Sequence, residues 1–176
     1  AGSEAGIVKD ANRLYNEGKY DEALKGYNDA LTNKPDSAII NFNMGSTQYK
    51  KGDYEKAVDS FVKSLTTEDK SLEAKANYNT GNCKYRLGIL KENTDMQGAV
   101  NLLRESLDYY KRAIELGESH AKLNEKDEDA KFNHEFVEKK LKALLDKLKQ
   151  ESSAKPSEDK QKESQKQEKQ EGEQKK

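Results

Sequence analysis

The sequence has no tryptophan, one cysteine, two prolines and two histidines, and only 32% of its 176 residues are apolar. Each shortage excludes something. A lone Cys83 forms neither an intrachain disulfide nor a zinc site of several thiolates. His120 and His134 have no second His or Cys at metal-ligand spacing, and no Gly-rich phosphate loop or nucleophile–base constellation is present. The expectation is a chain without catalysis, cofactor or metal. No apolar run approaches the roughly 18 residues that cross a bilayer, so direct membrane insertion is not expected. The opening AGSEAG lacks the regions of a signal peptide. It is the kind of small-residue end that processing leaves, so a secreted origin stands beside a cytoplasmic one. Lys and Arg number 32 against 33 Asp and Glu, a net charge of -1. That balance offers no basic field for nucleic acid.

What the chain does have is charge, 37% against about 25% in an ordinary globular domain, and an internal repeat. The stretch AIINFNMGSTQYKKGDYEKAVDSFVKSL at 38–65 falls on 4–31 when moved back by 34 residues. Gly52 then meets Gly18, Tyr54 meets Tyr20, Ala57 meets Ala23, and Phe61 meets Tyr27. Moved forward by 36 it meets AKANYNTGNCKYRLG at 74–88. A period of about 34 residues predicts stacked two-helix units, each unable to bury its apolar face alone.

In the first unit Ile7, Ala11 and Leu14 recur at helical spacing, Glu17-Gly18-Lys19 interrupts, and Ala23, Tyr27 and Ala30-Leu31 form a second stripe. That helix is expected to stop at Asn33-Lys34-Pro35. The third unit differs. From Gly88 to Tyr110 is 22 residues where Gly52 to Phe61 is nine, an insertion of 13. Met96, Val100, Leu103, Leu107, Tyr110 and Ile114 predict one long helix after Asn93-Thr94-Asp95. Leu87, Ile89 and Leu90 predict a prolonged partner helix, so the third hairpin is expected to protrude. After a polar connection at 118–126, Ala130, Val137, Leu141, Leu144 and Leu148 mark a final helix whose opening AKFNHEF imitates AIINFNM and AKANYNT. Residues 151–176 carry no apolar periodicity and are expected to be a disordered tail.

This arrangement resembles the tetratricopeptide repeat family, which places small residues where Ala11, Gly45, Gly81, Ala23 and Ala57 stand, and a large aromatic where Tyr27, Phe61 and Tyr110 stand. The resemblance implies an all-α, right-handed superhelix of three helical hairpins with a C-terminal capping helix. The repeats would cover about 4–37, 38–73 and 74–117, and the cap 127–150, within a domain of residues 1–150. Cys83 occupies a position where the family usually has alanine, which makes it a small packed residue.

In this family the concave surface is lined by a stripe of the first helices. Helical spacing assigns to it Val8, Asn12, Tyr15 and Asn16, then Phe42, Asn43, Ser46, Tyr49 and Lys50, then Lys75, Tyr78, Asn79, Asn82, Tyr85 and Arg86, with Lys131, His134 and Lys142 from the last helix. The three repeats contribute no acid to it. Asparagines that pair with a peptide backbone, tyrosines that stack and cations suit a segment carrying carboxylates. The set that clamps a C-terminal carboxylate in some members is met by Asn12, Asn43 and Lys75. It is broken at Val8 and Asn79, which replace a lysine and an arginine.

AKANYNTGNCKYRLG and DEDAKFNHEFVEKKL, followed by a Gln- and Lys-rich tail, resemble the tetratricopeptide proteins of bacterial Bat (aerotolerance) operons. That resemblance implies a periplasmic scaffold for stress tolerance, working with von Willebrand factor A-domain proteins and a MoxR-type ATPase. Two rivals stand beside it. One is a cytoplasmic co-chaperone-like adaptor for acidic C-termini, and the other is a regulatory accessory subunit of an enzyme that acts through the third hairpin.

Overall fold

The computed structural model describes residues 3–119 and 124–154. Among them are seven α-helices and no strand: α1 (Glu4–Asn16), α2 (Tyr20–Asn33), α3 (Ala38–Lys51), α4 (Tyr54–Ser64), α5 (Lys70–Lys91), α6 (Met96–Glu118) and α7 (Asn124–Ala154). No helix among the described residues is long and apolar enough to cross a membrane.

Short turns make α1/α2 and α3/α4 into hairpins. Gly18 and Gly52 stand at φ +76° and +83°, the left-handed region that a Cβ disfavours, and the chain reverses there. Between the two helices of the second and third hairpins a ring lies on a glycine. A Cβ added to Gly45 would come within 2.8 Å of the Phe61 ring, and one on Gly81 within 2.7 Å of Tyr110. In α1/α2 the close approach is between Gly26 and Ala11, where an added Cβ would lie 2.9 Å from the Ala11 methyl. Tyr27, Phe61 and Tyr110 are each 1% exposed, so the three rings are the largest fully buried side chains. The hairpins then stack in chain order, α2 on α3 and α4 on α5.

Buried polar groups follow the same economy. Thr47 and Thr80, both 0% exposed, donate to the carbonyls of Asn43 and Ala76 one turn back at 2.7 Å. Ser106 donates across the third hairpin to the Gly81 carbonyl at 2.8 Å. Among the described residues no buried side-chain N or O lacks a partner.

The third hairpin is long, as its spacing predicts, but begins earlier. Asp69 accepts from the Ser71 and Leu72 amides and starts α5 at Lys70, four residues before the repeated phrase. The helix then runs through Gly88, which is buried against Leu103, instead of turning there as at Gly18 and Gly52. Asp95 caps α6 by accepting from the Gly98 amide at 2.8 Å. The added turns bury Ala99, Val100 and Leu103 completely. They do not stand free, because Lys140 of α7 pairs with Glu92 at the hairpin's turn at 2.8 Å.

Packing divides the chain into two units, residues 1–141 and 142–176. Of the second, residues 142–154 are described and are helical, with Leu144 2% exposed and Lys142 exposed. α7 thus runs from 124 to 154 where 127–150 was expected, and takes in the first residues assigned to the tail. Residues 155–176 and His120 lie outside the described residues.

Candidate functional site

Helical spacing brings the first helices' polar and aromatic side chains to two cavities. Phe42, Ser46 and Tyr49 follow each other at four and three residues on α3 and so share one face. Phe42 and Ser46 line a cavity of about 390 Å³ with Asn12, Tyr15, Asn16 and Asn43. Tyr49 lines a second of about 270 Å³ with Tyr85, Arg86, Phe132, Asn133 and Phe136. Lys75 does not join them. It borders a separate cleft of about 410 Å³ with Ser37, Ile39, Thr67 and Asp69, at the first turns of α3 and α5. Arg86 follows Lys75 by 11 residues on the same helix, roughly 16 Å at 1.5 Å per residue, so the two cations share a stripe but not a site.

Several asparagines expected to meet a ligand are already bonded. Asn12 Oδ1 accepts from the Tyr27 hydroxyl at 2.6 Å and from Asn43 Nδ2 at 3.1 Å. The same device recurs two repeats on, where Asn82 Oδ1 accepts from the Tyr110 hydroxyl at 2.7 Å and from Asn133 Nδ2 at 3.2 Å. Asn133 also donates to the Tyr78 hydroxyl at 3.1 Å. Each set ties both helices of a hairpin to the next first helix, so Asn12, Asn43, Tyr78 and Asn82 act first as structure. The middle repeat has Phe61 in place of the tyrosine and Ser46 in place of the first asparagine, and Ser46 bonds its own helix at the Phe42 carbonyl. Asn79, the residue that would close the set there, is half-buried and carries no side-chain bond among the described residues.

The charges are arranged unequally. Lys51, Lys84, Lys140 and Arg112 are each paired with a carboxylate. Lys50, Lys75 and Arg86 have no carboxylate within 4.0 Å among the described residues. Arg86 instead lies over the Tyr54 ring, 5.3 Å from its centroid, and Tyr54 packs edge-on to Tyr49 at 5.2 Å. Burial raises the Tyr49 phenol, which the nearby Arg86 partly opposes. Cys83 is fully buried and desolvation pushes its thiol up to about 12, so it packs and does not react. Lys131 pairs with Glu118 at 3.2 Å.

Phe132, Asn133, Phe136 and Tyr54 are the residues sequence reading leaves out. For the three on α7 the cause is register. Matching AKFNHEF to AIINFNM puts Ala130 on Ala38, yet the buried pairs Ile40 with Thr47, Ala76 with Cys83 and Ala130 with Val137 show that Ala130 corresponds to Ile40 and Ala76. The shift of two brings Phe132 onto Phe42 and Tyr78, Asn133 onto Asn43 and Asn79, and Phe136 onto Ser46 and Asn82. Buried residues seven apart were the usable signal.

Comparison with known proteins agrees with the repeat fold. A TPR repeat model matches residues 11–52 and a tetratricopeptide repeat model residues 38–71. The Photosystem I assembly protein Ycf3 of Acaryochloris marina is 31% identical over 119 residues, covering 61% of this chain and 70% of that protein. Among solved structures, a T3SS complex from Aeromonas hydrophila superposes with a TM-score of 0.67 at 19% identity, covering 78% of this chain and 82% of its own. The type III secretion chaperone SycD of Yersinia enterocolitica, in complex with a peptide of the translocator YopD, gives 0.63 at 18%, over 77% and 92%. The first TPR of Spaghetti (RPAP3) bound to an HSP90 peptide gives 0.62 at 18%, over 78% and 92%.

Proposed function

We propose that this chain, which belongs to the tetratricopeptide repeat family, is a non-catalytic scaffold that holds an acidic protein segment along the inner stripe of its first helices. The observation that carries the reading is a pair of cavities lined by aromatic and amide side chains, with Arg86 in the second and no carboxylate within 4.0 Å of it among the described residues. A carboxylate supplied by a partner would pair with Arg86, and hydrogen bonds to charged groups are the strong ones. That structural neighbours were solved with bound peptides supports the same role.

The proposed setting is the one the Bat-operon resemblance implies: a periplasmic stress-tolerance complex with von Willebrand factor A-domain proteins and a MoxR-type ATPase. Affinity capture from the native host with the full chain tests it. Recovery of those two proteins, with recovery weakened by salt and by Arg86→Ala, is the expected result. Recovery of chaperone C-termini instead, abolished when the terminal carboxylate is amidated, would replace it with the adaptor reading. The broken clamp at Val8 and Asn79 argues against that outcome.

A further inference from the structure

The second cavity holds a feature that a charge-rich chain has no structural need for. Phe132 is 67% exposed and Phe136 49%, one turn apart on α7, while the buried face of that helix is served by Ala130 and Val137. With Tyr85 and Tyr49 the two rings form one contiguous aromatic surface, the kind of patch that marks an interaction site. Phe136 meets the Tyr85 ring edge-on at 5.9 Å, and Tyr49 closes the far side of a cavity of about 270 Å³. Arg86 is the one cation lining it, and no carboxylate lines it among the described residues.

Resting on the proposed scaffold role, we infer that this cavity is an anchor subsite for one large apolar side chain, aromatic or aliphatic, placed beside an acidic residue in the partner segment. The rings desolvate the apolar group, and Arg86, held over Tyr54, stands at the rim to meet the carboxylate. The chain's own terminal stretch does not fit, because residues 155–176 contain no large apolar side chain. A second copy, which presents Phe136 beside the exposed Glu135, is the rival occupant, and light scattering separates it from a partner segment.

The test begins with a phage-displayed library of random dodecapeptides selected on the full chain. Selected peptides are made with a fluorescent label and their affinities measured by anisotropy for wild type, Phe132→Ser, and the pair Phe132→Ala with Phe136→Ala. The expected result is a shared large apolar residue next to Asp or Glu, with binding weakened about tenfold or more in the double variant and severalfold in Phe132→Ser. Both variants should keep the wild-type circular dichroism, and Phe132→Ser removes the more exposed ring should the pair disturb α7. Acidic peptides without an apolar anchor, or peptides that bind the double variant as tightly as wild type, would overturn the subsite and leave the scaffold reading standing. Basic peptides, or none, would overturn both. Light scattering that shows a wild-type dimer and monomeric ring variants would give the cavity to a second copy and overturn the inference.

Discussion

Asn133 donates to Asn82 at 3.2 Å, the same bond that Asn43 makes to Asn12 at 3.1 Å two repeats earlier. In both places a buried tyrosine hydroxyl completes the set. The repeat is therefore polar as well as apolar, and the middle unit lacks this set because Phe61 has no hydroxyl and Ser46 no amide.

Restoring the device to the middle unit is a direct test. Phe61→Tyr combined with Ser46→Asn should give Asn79 its partner and rebuild the set. Net hydrogen bonds contribute about 0.5–1.5 kcal/mol each. Urea unfolding of wild type, both single variants and the pair should show a favourable coupling of that size. Strict additivity would mean that the correspondence between the repeats is wrong.

The close approaches at Gly45 and Gly81 set a second expectation. An added methyl would meet the Phe61 ring at 2.8 Å or the Tyr110 ring at 2.7 Å, closer than packed carbons come. Gly45→Ala and Gly81→Ala should each destabilise by about 1–3 kcal/mol through overpacking. Both act inside a hairpin, so thermal melts should fall without loss of helix content at low temperature. Unchanged melting of both would show that the rings yield freely.

Much of this fold was legible before any coordinates. Gly45 and Phe61 stand 16 residues apart in the sequence, and their pairing follows from two periodicities and a turn glycine. The long third hairpin was readable from Val100, Leu103 and Tyr110 at helical spacing. The bonded sets were not legible, because Tyr27, Asn12 and Asn43 are brought together only by stacking, and an asparagine tied to its neighbour looks the same in sequence as one awaiting a ligand. Nor was α7's register, because Ala130 can be set against Ala74 or Ala76 by identity, and Ile40 is a different residue at the same buried position. Phe132 and Phe136 escaped with it. Asp69 likewise hid the early start of α5, since a cap is recognised only with the helix it starts.

Alkaline pH should unfold the chain in a predictable window. Burial raises the Cys83 thiol from 9.0 to about 12 and the Tyr27 phenol from 10.0 to about 12. Both are neutral when protonated, so the folded state holds their protons more tightly than the unfolded state does. Their stability contribution is full below about pH 9 and is lost as pH rises from there towards 12. Urea midpoints should fall steadily across that range, and Cys83→Ala should make the fall shallower. In the native protein at pH 8, Cys83 should resist alkylation until urea unfolds the chain.

The last expectation separates the two cations that sequence alone placed together. Arg86 lines the aromatic cavity and is held over Tyr54, whereas Lys75 lies roughly 16 Å away in a cleft with Asp69, Thr67 and Ser37. A short acidic segment anchored in the cavity lined by Phe136 and Tyr85 reaches the first and not the second. Hydrogen bonds to charged groups contribute about 1.5–3 kcal/mol, and about 1.4 kcal/mol is tenfold in affinity. Arg86→Ala should therefore weaken a selected peptide by about tenfold or more, and Lys75→Ala by less than about twofold. Neither side chain makes an ion pair among the described residues, so Lys75→Ala should leave thermal stability nearly unchanged, and Arg86→Ala should lower it by no more than about 1 kcal/mol through the lost contact with Tyr54. Raising salt should weaken the wild-type complex and leave the Arg86→Ala complex nearly unaffected. Equal losses from the two substitutions would mean that the bound segment spans both cavities, and a dominant loss from Lys75→Ala would move the recognition site to the first turns of α3 and α5.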